Sequence, residues 1–91
     1  MYFVVSYDIP DDKRRTRIHK TLKNFGQRVQ FSVFECSLNK EQMLRLQHAL
    51  KQIIKAEDQD SVRFYFLCDA CKEKIERVGG IIPRDDGPVV V

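Results

Sequence analysis

The chain has 91 residues and a formal net charge of +3; 43% of its residues are hydrophobic and 32% are charged. This length and balance predict one globular domain spanning residues 1–91 and exclude disordered, fibrous and linker-like classes. No run approaches the roughly 18 apolar residues of a membrane-spanning helix, so no membrane association is expected.

A strand is predicted at the beginning of the chain, because residues 2–9 (YFVVSYDI) are mostly β-branched or aromatic. The alternation that we expect to lie under the helices consists of Phe3, Val5, Tyr7 and Ile9. The other alternation ends in Asp8 and is expected to face the open side of the sheet. Asp8 and the lack of a basic lead-in also argue against a signal peptide.

A helix is predicted after Pro10, which ends the strand. Asp11 and Asp12 suit a helix N-terminus, where carboxylates meet free backbone amides. An apolar stripe then recurs at helical spacing and consists of Ile18, Leu22 and Phe25. Gly26 is expected to end the helix.

Between residues 13 and 28 the sequence carries seven cations and no acid. They are Lys13, Arg14, Arg15, Arg17, Lys20, Lys23 and Arg28. Solvated helix faces usually mix both signs of charge, so this run favours a polyanionic partner over an ordinary solvated face. Arg14 shares the row of Ile18 and Leu22, which predicts that its stem lies on the core with its charged head outside.

Residues 28–38 (RVQFSVFECSL) are predicted to be extended, but their apolar alternation changes phase. Such a change needs a bulge or a break near Val33 and Phe34, so the segment is either one bent strand or two short ones. Asn39 then suits a helix N-cap, with Gln42 three residues later. The second helical stripe consists of Met43, Leu46, Leu50, Ile53 and Ile54.

A further strand is predicted at residues 61–68, whereas residues 72–78 fit either a short helix or an edge strand. A pair of glycines follows and would end that element. A turn is predicted at residues 85–88. The valines at 89–91 are expected to extend a sheet edge, either in this chain or in a partner.

Two helices between strands predict a two-layer α/β sandwich, in which one sheet carries both helices on one face. The other face would be uncovered although it bears apolar side chains. We therefore expect a homodimer in which two sheets join face to face.

Asp8 is the residue that most strongly indicates chemistry, because an acid at the end of a strand lowers strand propensity. One interpretation is an aspartate that begins a turn or caps a helix. The other is a ligand for a hard cation such as Mg²⁺, which is often held by one or two carboxylates together with waters and substrate phosphates. A two-fold axis near Asp8 would bring two such carboxylates together and complete a site.

The other reactive residue types give weaker signals. Cys68 and Cys71 form a CxxC pair, but Cys36 is the only other thiol and zinc needs four ligands, so all three are interpreted as free thiols. Cysteines without a secretory signal favour a reducing, cytoplasmic location. His19 lies within the basic run and is interpreted as a phosphate contact or a bystander rather than a general base.

Several of these segments together resemble CRISPR-associated protein two, the small core protein of spacer acquisition. They are Tyr7-Asp8-Ile9 followed by Asp11-Asp12, the arginine-rich helix, Gly26–Gln30 (GQRVQ) and Ser32–Cys36 (SVFEC). The similarity covers essentially the whole chain. It implies a ferredoxin-like fold with an antiparallel sheet, whose second strand gives way to a third near Val33 and Phe34. It also implies a sheet-to-sheet homodimer in which the C-terminal strand packs on the partner.

The resemblance implies a nucleic-acid function in antiviral defence. Members of the family have been assigned metal-dependent endonuclease activity on single-stranded RNA or double-stranded DNA, with Mg²⁺ or Mn²⁺ as cofactor. Members also bridge integrase dimers of CRISPR-associated protein one, and some are thought to need no hydrolysis of their own. Two hypotheses therefore stay open, a metal-dependent endonuclease and a non-catalytic DNA-binding scaffold.

By the same resemblance, the metal aspartate of the family falls on Asp8 and its neighbouring tyrosine falls on Tyr7. Both are predicted to be catalytic, and Asp8 is also the predicted metal ligand. The predicted nucleic-acid contacts are Arg14 from the basic run, and Arg15, Arg17, Arg28, Ser32 and Phe34 from the resemblance. The choice between RNA and DNA and the identity of the divalent metal stay open.

Overall fold

The computed structural model describes residues 1–80. Its elements are β1 (Tyr2–Asp8), α1 (Asp12–Lys23), β2 (Gln27–Gln30), β3 (Val33–Ser37), α2 (Lys40–Lys51), a 3₁₀ turn (Ala56–Asp58), β4 (Ser61–Leu67) and α3 (Asp69–Glu73). The turn predicted at residues 85–88 and the strand predicted at residues 89–91 lie outside the described residues.

The four strands form one antiparallel sheet in the order β2-β3-β1-β4. β1 is a central strand, and its Val5 lies between Phe34 on β3 and Phe64 on β4. The two long helices, α1 and α2, pack together over one face of this sheet. Strands and helices alternating in this way give the ferredoxin-like arrangement, so the predicted fold class is confirmed.

The core lies between that face and the two helices, as the alternation of β1 predicts. Its four inward residues, Phe3, Val5, Tyr7 and Ile9, are at most 5% exposed. The helices bury Ile18, Leu22, Met43, Leu46 and Leu50 against them. Full burial of each large apolar side chain contributes roughly 1.5–3 kcal/mol, which is why both apolar stripes turn toward the same face.

The first helix begins where the sequence predicts and ends earlier. Asp11 is its N-cap, and the carboxylate accepts a hydrogen bond of 2.9 Å from the Arg14 backbone amide. The helix ends at Lys23, with Asn24 as its C-cap, rather than at Gly26. Gly26 is required for close packing instead, because an added Cβ atom would lie 2.4 Å from Cys36 Sγ.

The segment that changes phase is a β-hairpin. It divides into β2 and β3, and its turn consists of Phe31 and Ser32. The register shifts between Arg28 and Gln30, so the irregularity lies just before the turn rather than at Val33. The alternative of two short strands is therefore correct.

The second half of the described chain follows the predicted order with one displacement. Asn39 and Gln42 form a complete capping box at the start of α2. The short helix α3 lies at residues 69–73 instead of 72–78, because Cys68 caps it by accepting a hydrogen bond of 3.4 Å from the Cys71 backbone amide.

The face of the sheet opposite the helices is only partly uncovered, which corrects the prediction. Residues 75–80 lie over the β2–β3 half of this face, and a cavity of about 250 Å³ lies between them and the strands. An ion pair holds them there, with 3.1 Å between Arg77 Nη2 and Glu35 Oε1. The β1–β4 half, which bears Asp8 and Tyr65, stays exposed.

Candidate nucleic-acid interface

Most of the predicted site residues meet at one end of the sheet. β1 ends there at Asp8, and α1 begins a few residues later. The hairpin turn reaches the same end, since the Tyr7 backbone amide donates to the Ser32 carbonyl at 3.1 Å. The Tyr7 hydroxyl also lies 3.4 Å from the Phe31 carbonyl, to which it donates.

The two residues predicted to be catalytic lie on opposite faces of the sheet. Tyr7 is 5% exposed and points toward the helices, whereas Asp8 is exposed on the opposite face. Successive residues of a strand necessarily point to opposite sides. Burial raises the pKa of the Tyr7 phenol, which therefore stays protonated at neutral pH. Within one chain these two residues do not form a catalytic pair.

Asp8 is the predicted metal ligand, and its surroundings show what it could bind. No group of three or more His, Cys, Asp or Glu residues suited to a metal ion occurs within residues 1–80. Its exposed carboxylate fits a cation that keeps several waters and contacts substrate phosphate, which is the usual coordination of Mg²⁺ in proteins.

A small cavity lies on the helix side of the same end. It has a volume of about 170 Å³ and is lined by Tyr7, Arg15, Thr16, His19, Arg28 and Phe31. The Arg15 guanidinium is fixed at its rim, because Nη1 donates to the Ile9 carbonyl at 2.9 Å and Nη2 pairs with Asp12. Arg28 extends from β2 and is exposed. Two predicted nucleic-acid contacts, Arg15 and Arg28, are thus brought together.

His19 lies in this cavity between aromatic rings and cations. Its ring stands edge-on to Phe34 at a centroid distance of 5.4 Å, and Nδ1 lies 3.4 Å from the Tyr7 hydroxyl. Partial burial lowers the pKa of His19, and the charges of Arg28 and Lys23 lower it further. His19 is therefore mostly neutral at pH 7, although a bound phosphate would favour its charged form.

The hairpin carries two of the predicted nucleic-acid contacts, Phe34 and Ser32, and they differ in exposure. Phe34 is fully buried, with its ring 6.4 Å from that of Tyr7, so its prediction as a nucleic-acid contact is wrong and it is part of the core. Ser32 is partly exposed at the turn and holds it to β1 through its carbonyl.

Phe31 was not predicted to be functional, yet its ring is 75% exposed beside two arginines. Phe31 falls within residues 28–38, which the sequence predicts to be extended, and this prediction gave no reason to expect an exposed ring there. The available signal was its position at the phase change, where a turn would expose a large apolar ring.

Arg14 is not available to a ligand, which corrects its prediction as a nucleic-acid contact. Its head is turned inward: Nε donates to Asp60 Oδ2 at 2.7 Å and Nη2 to Asp60 Oδ1 at 3.2 Å. The Asp60 side chain is fully buried and also accepts from the Lys55 backbone amide at 3.0 Å. The two residues thus join α1 to the loop before β4, and Asp58 adds a further contact of 3.4 Å to Arg14 Nη2.

Replacing Asp60 with asparagine is expected to lower the melting temperature at neutral pH by at least about 5 °C. The hydrogen bond from Arg14 and that from the Lys55 amide lower the pKa of Asp60 below its ordinary value. The stability that ionised Asp60 adds to the folded state is therefore fully present at pH values above the ordinary pKa of an aspartate. It is lost as the pH falls through the lower pKa that Asp60 has in the folded state. Thermal melts from pH 7 to pH 3 should show that the melting temperature of Asp60→Asn falls less steeply with decreasing pH than that of the native chain. The exposed Asp69→Asn is the control, and an identical pH profile in both variants would contradict the prediction.

The outward face of α1 carries the remaining cations. Lys13, Arg17, Lys20 and Lys23 are exposed, and none of them belongs to an ion pair within residues 1–80. Unpaired, exposed cations on one helix attract phosphate groups by charge without reading sequence. Arg17 thus fits its prediction as a phosphate contact, on a surface separate from the cavity.

The cysteines give no sign of a metal centre. Burial raises the pKa of the Cys36 thiol to about 12, so this thiol is unreactive. Cys68 and Cys71 are exposed, and all three are free thiols in the structure.

The sequence matches the family model described as CRISPR associated protein Cas2 over residues 1–75. A relative from Chloroflexus aurantiacus named CRISPR-associated endoribonuclease Cas2 1 is 44% identical over 88 residues, covering 97% of this chain and 88% of the relative. The crystal structure of Streptococcus pyogenes Cas2 at pH 6.5 has a TM-score of 0.76 and 37% identity, covering 87% of this chain and all of that chain.

A third similarity is to a chain of a structure described as a partial Cas6-RT-Cas1–Cas2 complex. Its TM-score is 0.73 and its identity 29%, covering 85% of this chain and 89% of that chain. No helix in the part of this chain that the structure describes is long and apolar enough to cross a membrane.

Proposed function

The chain belongs to the Cas2 family of CRISPR-associated proteins, and on that premise we propose that it is a metal-dependent endonuclease that hydrolyses phosphodiester bonds in single-stranded RNA. The observation that carries the proposal is the exposed carboxylate of Asp8 at the end of a central strand. The names of its endoribonuclease relatives support RNA as the substrate.

Asp8 is proposed to hold Mg²⁺ or Mn²⁺ through its carboxylate. The bound metal would lower the pKa of a coordinated water and offset negative charge on the phosphate. Arg15 and Arg28 bind and orient the neighbouring phosphates through charge and hydrogen bonds, since they lie at the same end of the sheet. Tyr7 holds the hairpin turn and His19 in place rather than touching the scissile bond.

A homodimer is proposed to complete the site. The β1–β4 half of the open face carries Asp8, Arg63 and Tyr65 and is not covered by residues 75–80. Tyr65 is 48% exposed there. A two-fold axis near the end of β1 would place two Asp8 carboxylates together, so that both could bind the same metal ion.

This arrangement predicts that one intact Asp8 in a dimer is not enough. A heterodimer of the native chain and Asp8→Asn, isolated through two different affinity tags, is expected to cleave RNA at about the rate of the doubly substituted dimer. The measurement is the rate of cleavage of a labelled RNA with saturating Mg²⁺. A control heterodimer carries Glu73→Gln on α3, at the opposite end of β4, and should be fully active. A rate near half that of the native dimer would show that each chain acts alone.

A second role is favoured by the unpaired cations on α1 and by the similarity of this chain to one chain of a structure described as a partial Cas6-RT-Cas1–Cas2 complex. In this role the dimer binds duplex DNA through both copies of α1 and bridges Cas1 integrase dimers during spacer acquisition. The role needs phosphate contacts but no hydrolysis by Asp8. The two roles use different residues, so substitutions can separate them.

A further inference from the structure

We propose that the cavity lined by Arg15, His19 and Arg28, together with the exposed ring of Phe31, is a subsite for one unstacked nucleotide of a single strand. The phosphate occupies the cavity and the base stacks on Phe31. The inference rests on the proposed nucleic-acid substrate, but it does not depend on cleavage.

The size of the cavity decides which part of a nucleotide enters it. Its volume of about 170 Å³ holds several waters but is below the roughly 300–1,000 Å³ of pockets that enclose a small organic ligand. A phosphate group fits, whereas a complete nucleotide would extend outside. The base must then lie at the rim, where Phe31 stands.

The polar groups of the cavity suit an anion. Arg15 is positioned by the Ile9 carbonyl, and Arg28 belongs to no ion pair within residues 1–80. His19 adds a ring nitrogen within the same cavity. No carboxylate of residues 1–80 lines the cavity itself, and that of Asp12 pairs with Arg15 Nη2 at the rim.

The backbone around Phe31 is held by hydrogen bonds to Tyr7, which leaves the ring of Phe31 available for stacking. Its carbonyl accepts from the Tyr7 hydroxyl at 3.4 Å, and the next residue accepts from the Tyr7 amide at 3.1 Å. Its ring is nevertheless 75% exposed, although burial would be favourable for an aromatic side chain. Stacking of a base on an aromatic ring is sequence-tolerant and requires an unstacked base, which a single strand offers and a duplex does not.

The first test measures the binding of Phe31→Ala to a labelled oligouridylate and to a duplex DNA of equal length, in EDTA so that no cleavage occurs. We expect affinity for the single strand to fall by roughly 5- to 100-fold and affinity for the duplex to change less than about twofold. Leu44→Ala, which removes a 51% exposed side chain from α2, is the matched control and should change neither. Equal loss for both ligands, or no loss for either, would overturn the proposal.

The second test keeps an aromatic ring at the same position. The chain has no tryptophan, so Phe31→Trp introduces a single indole whose emission reports contact with a base. Oligouridylate should quench this emission, and an abasic oligomer with the same phosphates should not. Leu44→Trp should be quenched by neither. Quenching by the abasic oligomer alone, or unchanged emission with oligouridylate, would contradict a stacked base. Loss of cleavage in Asp8→Asn leaves both readouts unaffected, so failure of the nuclease and failure of the subsite are distinguishable.

Discussion

Replacing Asp8 with asparagine is expected to slow Mg²⁺-dependent cleavage of single-stranded RNA by at least about 100-fold. The substitution keeps the size of the side chain but removes the negative charge that would hold a divalent cation, and a bound metal contributes several kcal/mol to stabilising a phosphoryl transition state. Because Asp8 is exposed at the end of β1 and no ion pair within residues 1–80 includes it, the fold should be unaffected. The measurement is the single-turnover cleavage rate as a function of Mg²⁺ concentration.

Two comparisons make that result specific. Glu73→Gln removes an exposed carboxylate from α3 and should leave the rate unchanged. The melting temperatures of both variants should equal that of the native chain within experimental error, which would exclude unfolding as the cause of slower cleavage. Cleavage by Asp8→Asn at the native rate would remove Asp8 from the mechanism, and cleavage of duplex DNA alone would replace RNA as the substrate.

Replacing Arg17 and Lys20 with glutamine is expected to weaken binding of duplex DNA and to prevent spacer acquisition. Each phosphate neutralised contributes about 0.9 to the slope of log affinity against log salt concentration. Because the proposed dimer loses two cations from each of its two copies of α1, the slope should decrease in magnitude by about 3.6. Both side chains are exposed on α1, where glutamine keeps helix propensity and removes charge. Titrations between low and high salt measure the slope.

The matched control removes two lysines from α2 instead. Lys40→Gln with Lys51→Gln changes the net charge equally but leaves α1 intact, so its salt slope should resemble that of the native chain. Asp8→Asn, tested in the same acquisition assay, separates the two roles: acquisition that persists supports the scaffold, and acquisition that stops ties it to the Asp8 site. An unchanged slope for Arg17→Gln with Lys20→Gln would show that α1 does not contact DNA.

Local patterns predicted most of the fold, because they depend on residues close together in the sequence. The alternation from Phe3 to Ile9 has a period of two and assigned the buried face of β1 correctly. The Asn39 and Gln42 pair placed the start of α2, because both partners of its capping box lie within one turn.

The incorrect predictions involve partners that are distant in the sequence. Arg14 was expected to point outward, and nothing near it indicated Asp60, which lies 46 residues later and holds its guanidinium inside. Phe31 lies in the hairpin turn and Phe34 lies in β3 just after it, and the phase change predicted the position of the turn only within a few residues. Residues 75–80 are held over the open face by the ion pair between Arg77 and Glu35. These two residues are 42 positions apart, so no local pattern indicated the contact.

That ion pair also limits how two copies can meet. With residues 75–80 lying over β2 and β3, a second sheet would meet a raised ledge on that half of the face and the exposed side chains of β1 and β4 on the other. In the proposed dimer, this ledge would leave the exposed parts of β1 and β4 as the contact surface. If two chains join as proposed, the position of residues 75–80 would therefore favour contact at β1, the strand that carries Asp8.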